Sequence, residues 1–163
     1  MGRKRQRAGG TPATVALHEA GVAFTLREYE HDPRAESYGL EAAEALGVEP
    51  ARVLKTLLVE TDQGLAVGIV PVDRQLDLKA LAAVLGAKRA TLADPAVAQR
   101  ATGYVVGGIS PVGQRRSHPT VVDSSAAAFG TVLVSGGRRG LDLELSPAAL
   151  VAVTGARYAD IAR

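Results

Sequence analysis

Apolar and polar residues alternate with period two in some stretches of the chain and recur at helical spacing in others, and the two patterns interleave. The clearest β-rich runs are residues 53–60 (VLKTLLVE) and 65–72 (LAVGIVPV), and Thr61-Asp62-Gln63-Gly64 between them predicts a hairpin with a four-residue connection. TVLV (131–134) and LDLEL (141–145) predict two later strands separated by the glycine cluster Ser135-Gly136-Gly137-Arg138-Arg139-Gly140. An earlier strand is expected over 24–30, broken by His31-Asp32-Pro33. Helices are marked by their ends. Thr11-Pro12 opens one that stops near Gly21, 40–46 stops at Gly47, and 77–85 stops at Gly86. Asp94-Pro95 opens another that ends before Thr102-Gly103, and Ser146-Pro147 opens a last one reaching about Thr154. Hairpins mixed with helices, without a repeated βα unit, predict an α+β fold: a single domain with a curved mixed β-sheet flanked by short helices.

Composition narrows the class. At 163 residues, 47% of them hydrophobic and 22% charged, the chain is one domain's length and rich enough in apolar side chains to build a core. No run approaches the ~18 apolar residues of a membrane span, and no apolar stretch follows the first basic residues, so neither a span nor a signal peptide is expected. A cytoplasmic location follows as an expectation. The absence of cysteine excludes disulfides, Cys-ligated metal and a thiol nucleophile supplied by the protein.

Charge is divided along the chain. Arg3, Lys4, Arg5 and Arg7 make residues 1–10 a basic arm expected to be disordered, ahead of a folded body over 11–163. Residues 11–73 carry four basic and eleven acidic side chains, and residues 74–163 carry eleven basic and six acidic. A basic half favours a polyanion such as nucleic acid, and an acidic half favours another protein or faces away.

Familiar catalytic motifs are missing. The glycines form neither GxxxxGK[ST] nor GxGxxG, Ser110 in GISPVG is not a nucleophile elbow, and His18, His31 and His118 lack metal-ligand spacing. Lys55 is the unusual residue: on a strand it shares a face with Val53, Leu57 and Val59. An ammonium there either snorkels or pairs with a carboxylate, or stands at a pocket mouth to hold a phosphate or polarise a carbonyl. Gly107-Gly108 serves a tight turn or brings backbone N–H groups close to a ligand. Tyr29, near the end of the first strand, can pack its ring and present its hydroxyl at a rim. Arg115-Arg116 and Arg138-Arg139 are phosphate contacts or solvated charges.

Taken together, YEHDP (29–33), KTLLV (55–59), QLDLK (75–79), ADPAVAQRATGYVVGGISPVGQ (93–114), VSGGRRGLDLEL (134–145) and YADIA (158–162) resemble the YbaK family of aminoacyl-tRNA deacylases, relatives of the editing domain inserted in bacterial prolyl-tRNA synthetases. The resemblance implies clearing of mischarged Cys-tRNA(Pro), with tRNA as substrate, prolyl-tRNA synthetase as an expected partner and no cofactor or metal. Matched motif by motif, it implies a catalytic set of Lys55, Gly107, Asp142 and Tyr29. Gly108, Ser135, Ile109 and Thr102 would surround the substrate, and Arg115, Arg116 and Arg138 would meet the RNA. In that family the substrate's own thiol is thought to attack its ester carbonyl, which accounts for a protein without a nucleophile. Two other expectations stay open at this stage: an editing deacylase for Ala- or Ser-tRNA, and a non-catalytic module that holds a tRNA 3′ end or a nucleotide.

Overall fold

The computed structural model describes residues 10–163, so the basic arm lies outside the described residues except for Gly10. Five α-helices and eight strands are found among them: α1 (Pro12–Glu19), β1 (Thr25–Glu28), α2 (Tyr38–Leu46), β2 (Leu54–Thr61), β3 (Gly64–Pro71), α3 (Leu78–Leu85), β4 (Ala90–Leu92), α4 (Pro95–Thr102), β5 (Thr120–Asp123), β6 (Val132–Arg138), β7 (Leu141–Leu145), α5 (Pro147–Thr154) and β8 (Arg157–Ala159). Helix starts follow from local chemistry: the side chains of Thr11, Asp77 and Ser146 accept the backbone N–H three residues on, satisfying donors that no helical carbonyl reaches. Ser37 does the same for α2, which therefore begins two residues ahead of the apolar run that predicted it.

The mixed α+β class is borne out, and the sheet is divided in two. A five-stranded sheet runs β4-β2-β3-β5-β8, with β3–β5 and β5–β8 parallel and the other pairs antiparallel; a three-stranded antiparallel sheet runs β1-β7-β6. A bridge between Val53 and Leu133 ties the two together. Thr61 pairs directly with Gly64, so the β2–β3 connection is two residues, Asp62 and Gln63, rather than four. The glycine cluster after Val134 is also more regular than expected: β6 continues to Arg138 through a bulge between Ser135 and Arg138. The first strand is shorter than expected at both ends. Strands β4, β5 and β8 are three or four residues each, too short to show a period.

The main core fills the space between the sheets, where Leu54, Leu58, Ile69 and Val122 meet Val132, Val134, Leu143 and Leu145, closed by Leu17 of α1 and Leu150 of α5. On the other face of the larger sheet, α3 covers Val59, Val70 and Val121 through Leu81, and α2 covers Val53, Val72 and Leu133 through Ala42 and Ala43.

One buried carboxylate fixes the C-terminal segment to the sheet. Asp123 accepts the backbone N–H groups of Ile161 at 2.9 Å and Ala162 at 3.0 Å, and both the N–H and hydroxyl of Ser125. Burial alone would raise its pKa, but these four donors together hold it below the ordinary carboxylate value. The folded pKa is depressed, so its stabilisation is present above about pH 4 and lost as the pH falls further. Asp123→Ala should cost about 2–3 kcal/mol, roughly 4–12 °C in Tm, and flatten the acid limb of a stability–pH curve measured by thermal unfolding.

Candidate active site

The site originates in an unpaired stretch of one strand edge. Along its outer edge β2 is bridged to β6 at Val53 and paired with β4 at Val59–Thr61, and between these points no strand covers it. Val53 accepts from the Val72 N–H on the β3 side, so strand parity turns the backbone groups of Leu54, Thr56 and Leu58 toward the gap. The Leu58 carbonyl is taken by the Ala93 N–H. A cavity of about 410 Å³ opens over this stretch. Because it wraps a strand edge, residues of both strand faces reach it, and Leu54, Lys55, Thr56, Leu57 and Leu58 all line it. Alternation along the strand therefore predicts Lys55 and misses Thr56.

Three further segments close the cavity: Tyr38, Gly39 and Ala42 of α2, Ala98 of α4, and the loop residues Val106, Gly107 and Ile109. Tyr29, Ser135 and Asp142 come from the three-stranded sheet, where Ser135 and Asp142 are direct partners across β6 and β7. Of the expected residues, Lys55, Gly107, Asp142, Tyr29, Ser135 and Ile109 thus meet in one cavity.

Its electrostatics are those of charges without protein partners. The Lys55 ammonium makes no hydrogen bond or ion pair with any described residue. Desolvation lowers its pKa, and only the through-space field of Asp73 opposes the shift. Asp142 is 5% exposed, and its carboxyl likewise makes no hydrogen bond or ion pair with any described residue. Burial pushes its carboxyl up to about 7, against the field of its cross-strand neighbour Arg27. Arg27 is itself bound to Glu144, which Arg52 and Thr131 also hold. Tyr29 is raised to about 12, chiefly by burial and then by the Asp142 charge.

Two glycines here have different jobs. Gly107, at φ +89°, lies where a Cβ would come within 2.9 Å of the Tyr38 ring and 3.0 Å of Arg139 Nε. Gly108 does not line the cavity: its N–H bonds to the Val105 carbonyl, and a Cβ on it would sit 2.7 Å from Arg138 Cα, so its role is close packing of the loop on β6. Thr102 is also placed elsewhere; its buried hydroxyl donates to the Ala98 carbonyl and accepts the Tyr104 N–H, ending α4. Arg138 pairs with Glu28 at 3.3 Å, while Arg115 and Arg116 line a second cavity.

Sequence reasoning missed the floor residue Thr56 and gave other roles to Arg139, read as a phosphate contact or a solvated charge, and to His31. Arg139 donates to the Val106 carbonyl at 2.9 Å and lies 5.1 Å above the Tyr38 ring, locking loop, strand and helix at the mouth. His31 helps hold the same helix in place, with Nδ1 2.8 Å from Glu41 Oε1. Thr56 contributes the one side-chain polar atom among the described residues that is wholly shielded from solvent and has no partner. No sequence pattern marks it, because a threonine in a strand is unremarked.

Residues 32–153 match the family profile described as the aminoacyl-tRNA editing domain. The chain belongs to this family. An Enterococcus faecalis protein provisionally named Cys-tRNA(Pro)/Cys-tRNA(Cys) deacylase EbsC is 35% identical over 137 residues, covering 83% of this chain and 84% of that one. A proline–tRNA ligase of Desulforamulus reducens is 41% identical over 73 residues, 45% of this chain and 13% of the ligase. A crystal structure described provisionally as a trans-editing enzyme for prolyl-tRNA synthetase superposes with a TM-score of 0.84 at 27% identity, covering 93% of this chain and 95% of that one. The editing domain described here also has no helix, among the described residues, long and apolar enough to cross a membrane.

A hydroxyl buried without a partner carries a desolvation cost that a methyl group does not. Thr56→Val in this editing domain should leave Tm unchanged or raise it by a few degrees in thermal unfolding. A fall in Tm would show that the hydroxyl already serves the fold.

Proposed function

We propose that the protein is a trans-acting aminoacyl-tRNA deacylase that clears Cys-tRNA(Pro) by cleavage assisted by the substrate's thiol. The observation that carries this is an ammonium and a carboxyl, Lys55 and Asp142, facing one cavity without protein partners and without a histidine or cysteine in its lining. Such a site positions and stabilises charge, and leaves the nucleophile to the substrate.

Proton transfer in this cavity falls to Asp142, whose pKa of about 7 lies near the pH at which it would work. Its ionised form takes the proton of the cysteinyl thiol, whose own pKa is near ~8.5. The sulfur then forms a bond to the ester carbonyl carbon, the carbonyl oxygen gains negative charge beside Lys55, and the bond to the ribose oxygen breaks. The proton on Asp142 passes to that oxygen, so the tRNA leaves with its hydroxyl restored and the amino acid leaves as a cyclic thiolactone. Lys55, free of any internal carboxylate, offsets the oxyanion or the adjacent phosphate. Tyr29 and Ser135 border the ribose or the α-amino group, and the outward backbone groups of Thr56 supply further hydrogen bonds at the floor.

A chemical requirement also explains selectivity. Distinguishing side chains by one methylene in an apolar pocket is worth only about 1–3 kcal/mol, whereas an ionisable thiol is absent from alanine and serine. Prolyl-tRNA synthetase is the partner proposed to deliver the substrate, supported by the similarity to segments of two proline–tRNA ligases.

Deacylation of cysteinyl-, alanyl- and seryl-tRNA(Pro) tests the proposal. Release of cysteine alone is expected, with Lys55→Ala lowering the rate by at least about 10²-fold, the size of a lost oxyanion contact. Equal release of alanine or serine would replace the thiol mechanism with an activated water, and tRNA binding without hydrolysis would make the protein a binding module.

The pH dependence separates Asp142 from Lys55. With the carboxyl pushed up to about 7, kcat/KM should fall as the pH drops below that value, and Asp142→Asn should remove this limb along with most of the rate. The same raised pKa means that the ionised, buried carboxylate costs stability above neutral pH. Asp142→Asn should therefore unfold at a higher temperature than the parent at pH 8 and not at pH 4.

A further inference from the structure

Helix α4 has two cavities against it. Ala98 faces the active site, while Val97 and Arg100 line a second cavity of about 540 Å³ shared with Arg115, Arg116, Ser117 and His118. Three arginines and a histidine line it, and among the described residues no carboxylate does. Like charges gathered in a concavity repel one another unless an anion is bound among them.

The protein accounts for only part of this charge. Arg115 caps α4: its N–H bonds to the Thr102 carbonyl, and its guanidinium packs over Gly103 and approaches the Arg100 carbonyl. Arg100 and Arg116 make no ion pair or side-chain hydrogen bond with any described residue. His118 is oriented. Gln114 donates its amide Nε2 to the Ser110 carbonyl, which turns its Oε1 to accept from His118 Nδ1 at 3.2 Å and leaves Nε2 of the ring uncommitted. After burial, the charge of Arg116 is what lowers the His118 pKa, a sign that the local positive potential is uncompensated.

We infer that this cavity is a second substrate-binding site, one that takes phosphodiester groups of the RNA backbone while the aminoacylated 3′ end occupies the cavity on the other side of α4. The inference rests on the aminoacyl-tRNA reading above. The guanidinium groups are exposed and come from two separate segments, the last turn of α4 and the 115–116 loop, an arrangement suited to a chain of phosphates rather than to one enclosed anion. An α-helix with its side chains is about 10–12 Å across, a span that a few nucleotides of single strand cover. Arg138, paired with Glu28, falls outside this RNA-binding set, and Arg100 joins it.

Binding of uncharged tRNA(Pro) to the full chain, titrated with salt, tests the site without requiring catalysis, so loss of deacylase activity and loss of this site are read separately. Arg100→Ala and Arg116→Ala should each weaken binding about fivefold, as for an exposed ion pair at its upper end. Each should also reduce the slope of log K against log salt by roughly 0.7–0.9. Lys79→Ala on α3 removes the same charge elsewhere and should change neither. Equal effects from Lys79 and Arg116, or no effect from Arg100 and Arg116, would overturn the inference. Inorganic phosphate alone should show no saturable binding dependent on Arg116. If it does bind in this way while tRNA affinity is unaffected by the substitution, the cavity belongs to a small phosphate and the RNA assignment falls.

Discussion

The structure depends on the point where strand β2 loses its outer neighbour. Val53 is bridged to β6 and Val59 is paired with β4, and the two sheets diverge between them. In an ordinary sheet interior the outward backbone groups around Thr56 would be consumed by an adjacent strand, and leaving them uncovered inside a core would be costly. Here the stretch lines a cavity, so the outward backbone groups around Thr56 face a space that a ligand can enter. The same divergence admits side chains from both faces of β2, which is how a lysine and a threonine at consecutive positions share one site.

Around this opening, neighbouring elements hold rather than react. The bulge in β6 and the left-handed Gly107 bring strand, loop and helix α2 together at the mouth, and Arg139 joins all three through the Val106 carbonyl and the Tyr38 ring. Behind the site, Arg27 is engaged with Glu144, itself held by Arg52 and Thr131, and so acts on Asp142 only through space. A direct ion pair would have kept the Asp142 carboxyl ionised and low. Binding the guanidinium to a different carboxylate leaves Asp142 near neutrality and capable of exchanging a proton.

Much of this was legible in the sequence where local chemistry decides it. Thr11, Asp77 and Ser146 marked helix starts by their capping ability, and the hairpin was visible because two β-rich runs flanked a polar turn. Lys55 stood out because a strand face made it anomalous. Thr56 and Tyr38 did not, and Arg139 did only as a candidate phosphate contact, since their places come from a strand edge, a helix face and a bulge meeting in space. Gly108 and Thr102 were misplaced for a related reason: the need for a glycine or a hydroxyl is visible in sequence, but whether it serves a ligand or the packing of a loop on its neighbour is settled by tertiary contacts.

Charge segregation in the sequence illustrates the same limit. The basic second half of the chain does not form one basic face: Arg138 is neutralised by Glu28 from β1, Arg157 donates to the Val84 carbonyl, and Arg139 is held at the catalytic mouth. Other basic residues without side-chain partners, such as Lys79, are spread over the surface, whereas Arg100, Arg115, Arg116 and His118 are gathered around one cavity at the end of α4 and the 115–118 loop. Net charge per segment therefore overstates the surface available to a polyanion, and the guanidinium groups without internal partners are the better guide. By that measure the two sides of α4 differ, with the single ammonium of Lys55 unpaired on one side and the guanidinium groups of Arg100 and Arg116 unpaired on the other, the division on which both proposed sites rest.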